Sequence, residues 1–131
     1  MTARKEPAKS TTDPQKLADR YAAVWNEPDP TARRRAIAAL WAPDGVHYVQ
    51  DREYRGHQAL EERVLGAHDK NVRLAGNRFR AVRNAQVLRN VVEFNWEMLP
   101  ANGEQVLAVG LEVVILDDDQ RIVRDYQFIV S

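Results

Sequence analysis

The chain has 131 residues, 44% of them hydrophobic and 29% charged, and 19 basic residues balance 19 acidic ones. These values are typical of one globular domain with its own core, and zero net charge provides no overall field to attract nucleic acid or an anionic membrane. There is no cysteine, which excludes disulfides, thiolate catalysis and cysteine-based zinc sites.

The first twelve residues, MTARKEPAKSTT, are polar, and we expect them to form a flexible tail (residues 1–12) before a single domain at residues 13–131. No apolar stretch approaches the roughly 20 residues that span a bilayer. The N-terminus also lacks the apolar segment of a signal peptide. The sequence therefore predicts a cytoplasmic protein that does not bind membranes.

Helical patterns dominate the N-terminal half. Asp13-Pro14 is typical of a helix start, and the NEPDP stretch at residues 26–30 is expected to end this first helix. A second helix is expected to end at APDG (residues 42–45), and a third covers about residues 57–70. Each helix has one apolar face: Leu17, Tyr21, Val24 and Trp25 in the first, Ile37, Leu40 and Trp41 in the second, and Leu60, Val64, Ala67 and His68 in the third.

Strand patterns dominate the remainder. The predicted strands are residues 46–50, 78–87, 90–99, 105–116 and 121–130, of which 78–87 is either straight or bent, and residues 53–56 form a short strand or a turn. Helices followed by an antiparallel meander are typical of the α+β class. We therefore predict three N-terminal helices packed in the concave face of a strongly curved, mainly antiparallel sheet.

One acid interrupts each of the last two predicted strands: Glu112 lies in an otherwise apolar segment, and Asp125 lies in RIVRDYQFIV. A two-residue hairpin loop at Asp118-Asp119 or Asp119-Gln120 would place both acids on one face of the sheet, either directly opposite or as diagonal neighbours. A three-residue loop would place them on opposite faces. Because two-residue loops are the commonest, we expect a shared face.

A shared face would make the two acids a candidate acid/base site. Neighbouring carboxyls repel, and burial disfavours the charged form, so the pKa of one would rise well above its ordinary value. The alternative is a solvent-exposed face, on which the acids only aid solubility. The same-face neighbours of Glu112 are small or apolar, as in the wall of a cavity: Ala108, Gly110 and Val114.

Residues 14–130 resemble the nuclear transport factor 2-like superfamily, in its SnoaL-like branch, through element order and three short stretches. These are RYAAVWN (20–26), AALWAPDGVHYV (38–49) and GLEVVILDDDQRI (110–122), which are similar to segments of ketosteroid isomerases. The superfamily also includes epoxide hydrolases, polyketide cyclases and non-catalytic binding domains. The resemblance implies an α+β cone.

The resemblance to ketosteroid isomerases implies oxyanion donors at Tyr21 and at a protonated Glu112. The general base of those enzymes falls on Val49 here, so their reaction is not supported. His47 lies two residues earlier on the same predicted strand, where its side chain would face the same way. Since histidine titrates near neutral pH, His47 is a candidate accessory base.

RDYQF (124–128) resembles the RDYF end of limonene epoxide hydrolases. The aspartate there, matching Asp125, is one of two acids that handle protons in epoxide opening. The other acid and its arginine partner lie on an earlier strand, where Glu93 and Asn95 are the nearest but imperfect matches. The chain thus matches part of the ketosteroid isomerase site and part of the limonene epoxide hydrolase site, and neither site is complete.

The face of residues 90–99 that meets Glu112 depends on the length of the LPANGE loop. An even length would put Glu93, Asn95 and Glu97 beside Glu112, and an odd length would put Phe94, Trp96 and Met98 there. We favour the aromatic face, because unpaired buried acids are costly and an aromatic wall suits an apolar ligand. The residues expected to line a pocket are Trp25, Val49, His68, Phe94, Trp96 and Gln127.

Two functions stay open. The first is non-catalytic binding of a small apolar or carbonyl-containing molecule. The second is proton-transfer catalysis of isomerase, cyclase or epoxide hydrolase type, with Asp125 as acid/base, Tyr21 and Glu112 as oxyanion donors and His47 as accessory base. No cofactor is expected, and the three histidines lack the spacing of metal ligands.

The hairpin's other face is strongly apolar, and such a face is typical of an interaction surface. We therefore expect a homodimer through the outer face of the sheet. The residues assigned to this face are Leu107, Val109, Leu111, Val113, Ile115, Ile122, Tyr126 and Phe128.

Overall fold

The computed structural model describes residues 12–131, so the predicted tail lies outside the described residues except for Thr12. Three α-helices, a π-helical segment and seven strands follow one another. In chain order they are α1 Pro14–Asn26, α2 Pro30–Leu40, β1 Trp41–Val49, β2 Arg52–Arg55, α3 Gly56–Ala67, the π-helical segment His68–Leu74, β3 Asn77–Ala81, β4 Gln86–Leu88, β5 Val91–Pro100, β6 Ala108–Leu116 and β7 Ile122–Ile129. Within residues 12–131, none of the helices has the length and hydropathy needed to cross a membrane.

The first two helices each start at an Asp-Pro pair, as predicted for Asp13-Pro14. The Asp13 carboxylate accepts hydrogen bonds from the backbone N–H groups of Gln15 and Lys16, both at 3.1 Å. The Asp29 carboxylate accepts from the N–H of Ala32 at 2.8 Å. In each helix a proline follows the capping aspartate, where its missing N–H costs nothing. Local sequence alone therefore sets where α1 and α2 begin.

All seven strands form one curved sheet in the order β2-β1-β7-β6-β5-β3, with β4 also paired to β5. Every pairing is antiparallel except that of β1 with β7. The predicted α+β class and mainly antiparallel sheet are confirmed. The parallel β1–β7 pair joins the first strand to the last, and the core lies between the sheet and the helices.

β1 begins earlier than predicted. Trp41 does not extend α2 but pairs with Ile122 of β7, and residues 42–45 belong to the strand rather than to a turn. A Cβ on Gly45 would lie 2.8 Å from the carbonyl oxygen of Ile122, so only glycine permits this approach. Pairing with a distant strand therefore overrides the local turn signal.

Two other elements differ from their predicted bounds. The predicted strand 78–87 is bent into β3 and β4, both paired with β5. In the gap between β3 and β4, the Asn95 N–H of β5 donates to the Asn84 side-chain oxygen at 3.1 Å. The predicted third helix stops being α-helical at Ala67 and widens into the π-helical segment. Such segments are rare and frequently lie beside functional sites.

In the final hairpin, Glu112 and Asp125 share one face of the sheet as predicted, but the loop that connects their strands differs from the predicted one. The loop has three residues, Asp118 to Gln120, because the N–H of Asp117 donates to the Arg121 carbonyl at 2.9 Å. The expected two-residue loop is therefore wrong. The face is shared nevertheless, since Leu116 pairs with Ile122 and Ile115 with Arg124, which leaves Val123 as the extra residue of a bulge.

The bulge has two consequences. It turns Ile122 into the core, where its side chain is fully buried, so the assignment of Ile122 to the outer face is wrong. It also sets the pairs Glu112–Gln127 and Val114–Asp125, which makes Glu112 and Asp125 diagonal neighbours. On β5, Phe94 lies opposite Glu112, and the prediction that the aromatic side of this strand faces inward is confirmed.

Candidate active site

The hydroxyl of Tyr21 is the centre of a buried polar network. It projects from the apolar face of α1, and its Oη lies 2.8 Å from Glu112 Oε2 and 2.7 Å from Asp125 Oδ2. The two acids belong to neighbouring strands, and both side chains are completely buried. One hydroxyl therefore joins the first helix to both acids of the final hairpin.

His47 extends the network onto β1. The parallel pairing places His47 beside Asp125, and its Nδ1 lies 2.8 Å from Asp125 Oδ2. On the other side of the ring, Nε of Arg63 donates to His47 Nε2 at 3.4 Å. This contact requires a lone pair on Nε2, so the neutral ring carries its proton on Nδ1, toward Asp125. His47 is completely buried.

Trp96 completes the network from β5. Its indole Nε1–H donates to Glu112 Oε1 at 2.8 Å, so both oxygens of Glu112 have partners. By contrast, Oδ1 of Asp125 is buried and has no hydrogen-bond donor among residues 12–131.

The number of available protons assigns a state to each acid. The Tyr21 hydroxyl carries one hydrogen and contacts two carboxyls, so a second hydrogen must come from one of them. Burial raises the pKa of Glu112 well above its ordinary value, and the negative charge of Asp125 raises it further. Glu112 is therefore the neutral acid. It donates to Tyr21, which in turn donates to Asp125.

Asp125 is the ionised member of the pair. Burial acts to raise its pKa, but the electrostatic attraction of His47 and the hydrogen bonds from His47 and Tyr21 outweigh burial and hold the pKa below its ordinary value. Burial, with the two neighbouring acids, raises the pKa of the Tyr21 hydroxyl well above the ordinary value for tyrosine. The site thus holds one carboxylic acid and one carboxylate side by side.

A cavity of about 200 Å³ lies next to this network. Its wall is mainly apolar and aromatic, with polar side chains at a few points. The lining residues are Tyr21, Ala22, Trp25, Arg63, Ala67, Asn71, Phe79, Trp96, Met98, Ala108, Gln127 and Ile129. Of the network, Tyr21 and Trp96 line the cavity, whereas Glu112, Asp125 and His47 lie behind them.

No protein-family model matches the chain, and no curated protein matches its sequence significantly. Solved structures do match. A candidate isomerase of the SnoaL-like family from Agrobacterium tumefaciens C58 is 26% identical with a TM-score of 0.79, over 88% of this chain and 96% of that one. The chain belongs to the nuclear transport factor 2-like superfamily, in its SnoaL-like branch.

More distant members of this superfamily share the fold. A candidate polyketide cyclase from Sinorhizobium meliloti is 13% identical with a TM-score of 0.65, over 86% of this chain and 94% of that one. A nuclear transport factor 2-like protein of unknown function from Exiguobacterium sp. 255-15 is 16% identical with a TM-score of 0.67, over 88% and 98%. Since one fold hosts many functions, the activity of this SnoaL-like chain must be argued from its site.

The structure brings the four predicted catalytic residues together, namely Tyr21, His47, Glu112 and Asp125. Of the predicted pocket residues, Trp25, Trp96 and Gln127 line the cavity. Three do not. Phe94 packs against the Tyr21 ring inside the core, Nδ1 of His68 is held 2.9 Å from the Trp25 carbonyl oxygen, and Val49 is buried where β1 pairs with Gln127.

Three of the cavity residues that sequence reasoning missed lie along α3 and the π-helical segment. Arg63, Ala67 and Asn71 line the cavity and are spaced four residues apart in the sequence. That spacing is typical of one helix face and is the signal that could have found them. The four-residue spacing was overlooked because the apolar residues Leu60 and Val64 indicate a different inward face for this helix.

His47, Glu112 and Asp125 also offer ligand atoms that lie within 4.8 Å of one another. They come from three different strands, so no sequence spacing reveals them. The nearest atoms of all three are already engaged with each other or with Tyr21. An ion would have to displace the Tyr21 bridge, so the arrangement fits a proton network better than a metal centre.

Proposed function

We propose that this protein binds a small, mainly apolar molecule in the cavity beside Tyr21. The observation that carries the proposal is the cavity itself, which has a largely aromatic wall formed by Trp25, Phe79 and Trp96. Apolar walls with a few placed polar groups are the usual composition of small-molecule sites. Asn71 and Gln127 supply such groups, and among residues 12–131 no side chain is hydrogen-bonded to either amide.

The volume limits the size of the ligand. A cavity of about 150 Å³ accommodates benzene, and sites for drug-sized molecules begin at about 300 Å³. A cavity of about 200 Å³ therefore suits one substituted ring or a short branched chain. A carbonyl oxygen on such a molecule would find free donors on the amides of Asn71 and Gln127.

A second candidate function is proton transfer on the bound molecule, and the buried network favours it. Neutral Glu112, hydrogen-bonded to Tyr21, could pass a proton through that hydroxyl to an oxygen on the ligand, leaving the negative charge on Glu112. To complete an enolisation, the Tyr21 oxygen would then take a hydrogen from the carbon beside the carbonyl while its own hydrogen moves to Asp125, to which His47 is hydrogen-bonded through Nδ1. Burying three ionisable groups is costly, and such clusters concentrate at functional sites. The SnoaL-like neighbours described as a candidate isomerase and a candidate cyclase support the same class.

Ligand binding is tested by thermal unfolding with a panel of single-ring ketones, lactones and epoxides. Ala108→Phe would fill the cavity, whereas Val109→Phe adds the same ring to the opposite face of β6. We expect some ligands to raise the melting temperature of wild type and Val109→Phe but not of Ala108→Phe. A panel without effect, or shifts that persist in Ala108→Phe, would contradict binding in this cavity.

Proton transfer is tested by following deuterium exchange next to the carbonyl of each bound ketone, using NMR in D₂O. Wild type should accelerate the exchange, and Tyr21→Phe should abolish the acceleration because it removes the hydroxyl that joins Glu112 to Asp125. Exchange that is no faster with wild type than in buffer would reject the catalytic candidate while leaving binding intact.

We also propose a homodimer through the outer face of the sheet. Apolar side chains are exposed at one end of this face, with Leu107 at 44% and Phe128 at 54% exposure, and Tyr48 stacks on Tyr126 beside them. Sedimentation at micromolar concentration should show a dimer, and Phe128→Glu should yield a monomer. A wild-type monomer would overturn this proposal.

A further inference from the structure

Arg63 is held in a fixed position at the wall of the cavity. Its guanidinium carbon lies 5.1 Å from the centre of the Trp25 ring and 5.8 Å from that of Tyr54, and its Nε contacts His47. Two aromatic faces attract the guanidinium and restrict its rotamers. The side chain is therefore placed in advance of any ligand.

In the part of the chain that the structure describes, Arg63 forms no ion pair with an acid. Among residues 12–131, no carboxylate lies within 4.0 Å of its guanidinium, and its two terminal nitrogens have no hydrogen-bond acceptor. Surface arginines of the same chain do have partners, for example Arg80 with Glu97 at 2.9 Å and Arg83 with Asp19 at 2.7 Å. A half-buried cation without a counter-ion is costly, and this burial is the main cause of the lowered pKa of Arg63.

The rest of the cavity wall would tolerate an anion. No acidic residue lines it among the described residues, since Glu112 and Asp125 lie behind Tyr21 with no exposed surface. The remaining polar side chains, Asn71 and Gln127, are neutral amides with N–H donors. A negative group placed at Arg63 would therefore meet hydrogen-bond donors and, among the described residues, no negatively charged side chain on the wall.

We propose that the molecule bound in this cavity is a small carboxylate with an apolar body, and that its carboxylate binds the two free nitrogens of Arg63. This proposal rests on the proposed binding function and narrows its ligand class. The guanidinium fork matches a carboxylate with two parallel hydrogen bonds. The apolar body lies against Trp25, Phe79 and Trp96, where the volume accommodates about one ring.

The test compares matched acids and alcohols by isothermal titration calorimetry. The probes are benzoate against benzyl alcohol and phenylacetate against 2-phenylethanol, each titrated into wild type, Arg63→Met and Arg52→Met. Arg52 contacts the same Tyr54 ring but does not line the cavity, which makes it the matched control. A charge-assisted pair corresponds to roughly tenfold to hundredfold in affinity, so wild type and Arg52→Met should prefer the acids by that factor.

Arg63→Met should bind the alcohols as wild type does and lose the preference for acids. Arg63→Lys keeps the charge without the planar fork and should retain a smaller preference, which provides a second measurement if the methionine variant does not fold. Equal binding of acids and alcohols by wild type, or a preference that survives in Arg63→Met, would overturn the carboxylate proposal and leave apolar binding standing. If neither acids nor alcohols bind to wild type, both proposals fail.

Discussion

The hydroxyl of Tyr21 lies 2.7 Å from Oδ2 of Asp125, although the two residues are 104 positions apart in the sequence. This contact requires α1 to be docked on the sheet and β7 to be in register with both β1 and β6. The same hydroxyl also satisfies Glu112. Stability and site geometry are therefore coupled through one oxygen atom, and substitutions at this point should affect both.

Tyr21→Phe should lower the free energy of unfolding by about 1–3 kcal/mol, because it leaves buried acids without their bridging group. Urea denaturation at neutral pH measures the change. Tyr48→Phe is the matched control, since the Tyr48 hydroxyl has no hydrogen-bond partner among residues 12–131 and should cost less than about 0.5 kcal/mol. Equal effects of the two substitutions would argue against the bridge.

The free energy of unfolding of Glu112→Gln should increase relative to that of wild type as pH rises from about 4 to 8. The pKa of Glu112 is raised in the folded protein, so the folded state retains a proton that the unfolded chain loses above its ordinary pKa of about 4.3. Wild type therefore loses stability over this interval. Glutamine has no proton to lose, and its amide can still donate to Tyr21.

Asp125→Asn should show the opposite trend and serves as the control for the Glu112 experiment. The pKa of Asp125 is lowered in the folded protein, so its stabilising effect is present above about pH 3.9 and is lost as pH falls through the folded pKa. The substitution should cost more at pH 7 than at pH 3. Urea denaturation across this range checks both variants, and parallel pH profiles would contradict the assignment of one neutral and one ionised acid.

His47→Leu should destabilise the protein by about 3–5 kcal/mol, because it leaves the Asp125 carboxylate buried without the Nδ1–H that donates to it. Adding Asp125→Asn to this variant should cost little more, since the unpaired charge has then been removed. A double-mutant cycle by urea denaturation measures the interaction between the two residues. Additive effects would mean that the 2.8 Å contact contributes nothing to stability.

Gly110→Ala should destabilise the protein by about 1–3 kcal/mol and weaken ligand binding. An added Cβ would overlap the Trp96 indole, so the ring must move, release Glu112 and enter the cavity. Gly66→Ala is the control, because nothing lies within 4 Å of its added Cβ and alanine favours the helix by about 1 kcal/mol. Thermal unfolding with and without a ligand checks both variants, and an unaffected Gly110→Ala would contradict the packing of Trp96 against this strand.

Strand alternation is sufficient to predict much of the site. It places Glu112 in an apolar strand and gives it Asp125 as a neighbour, and the penalty for buried acids favours Phe94 and Trp96 over Glu93 and Glu97. These inferences use only a period of two and the cost of burying charge. The same reasoning predicts the wrong loop length, and the two acids share a face because the bulge at Val123 restores the register.

The pocket is harder to predict, and the reason is geometric. Phe94, His68 and Val49 lie on inward-facing surfaces, as predicted, but neighbouring helices and strands cover them. Arg63 lines the cavity from α3, and Asn71 lines it from the π-helical segment that continues α3. The periodicity of a strand or helix predicts which side chains point inward. Whether such a side chain reaches the cavity depends on which other residues are packed between it and the cavity.

Capping and alternation act over a few residues, so the starts of α1 and α2, the inward side of β5 and β6 and the two acids of the final hairpin follow from the local sequence. The parallel pairing of β1 with β7, which brings His47 to Asp125, and the Tyr21 bridge between the acids arise only when the whole chain is folded. The same holds for the position of Arg63 at the cavity, where it has no ion-pair partner among residues 12–131. These contacts join segments far apart in the chain, and no local pattern encodes their register.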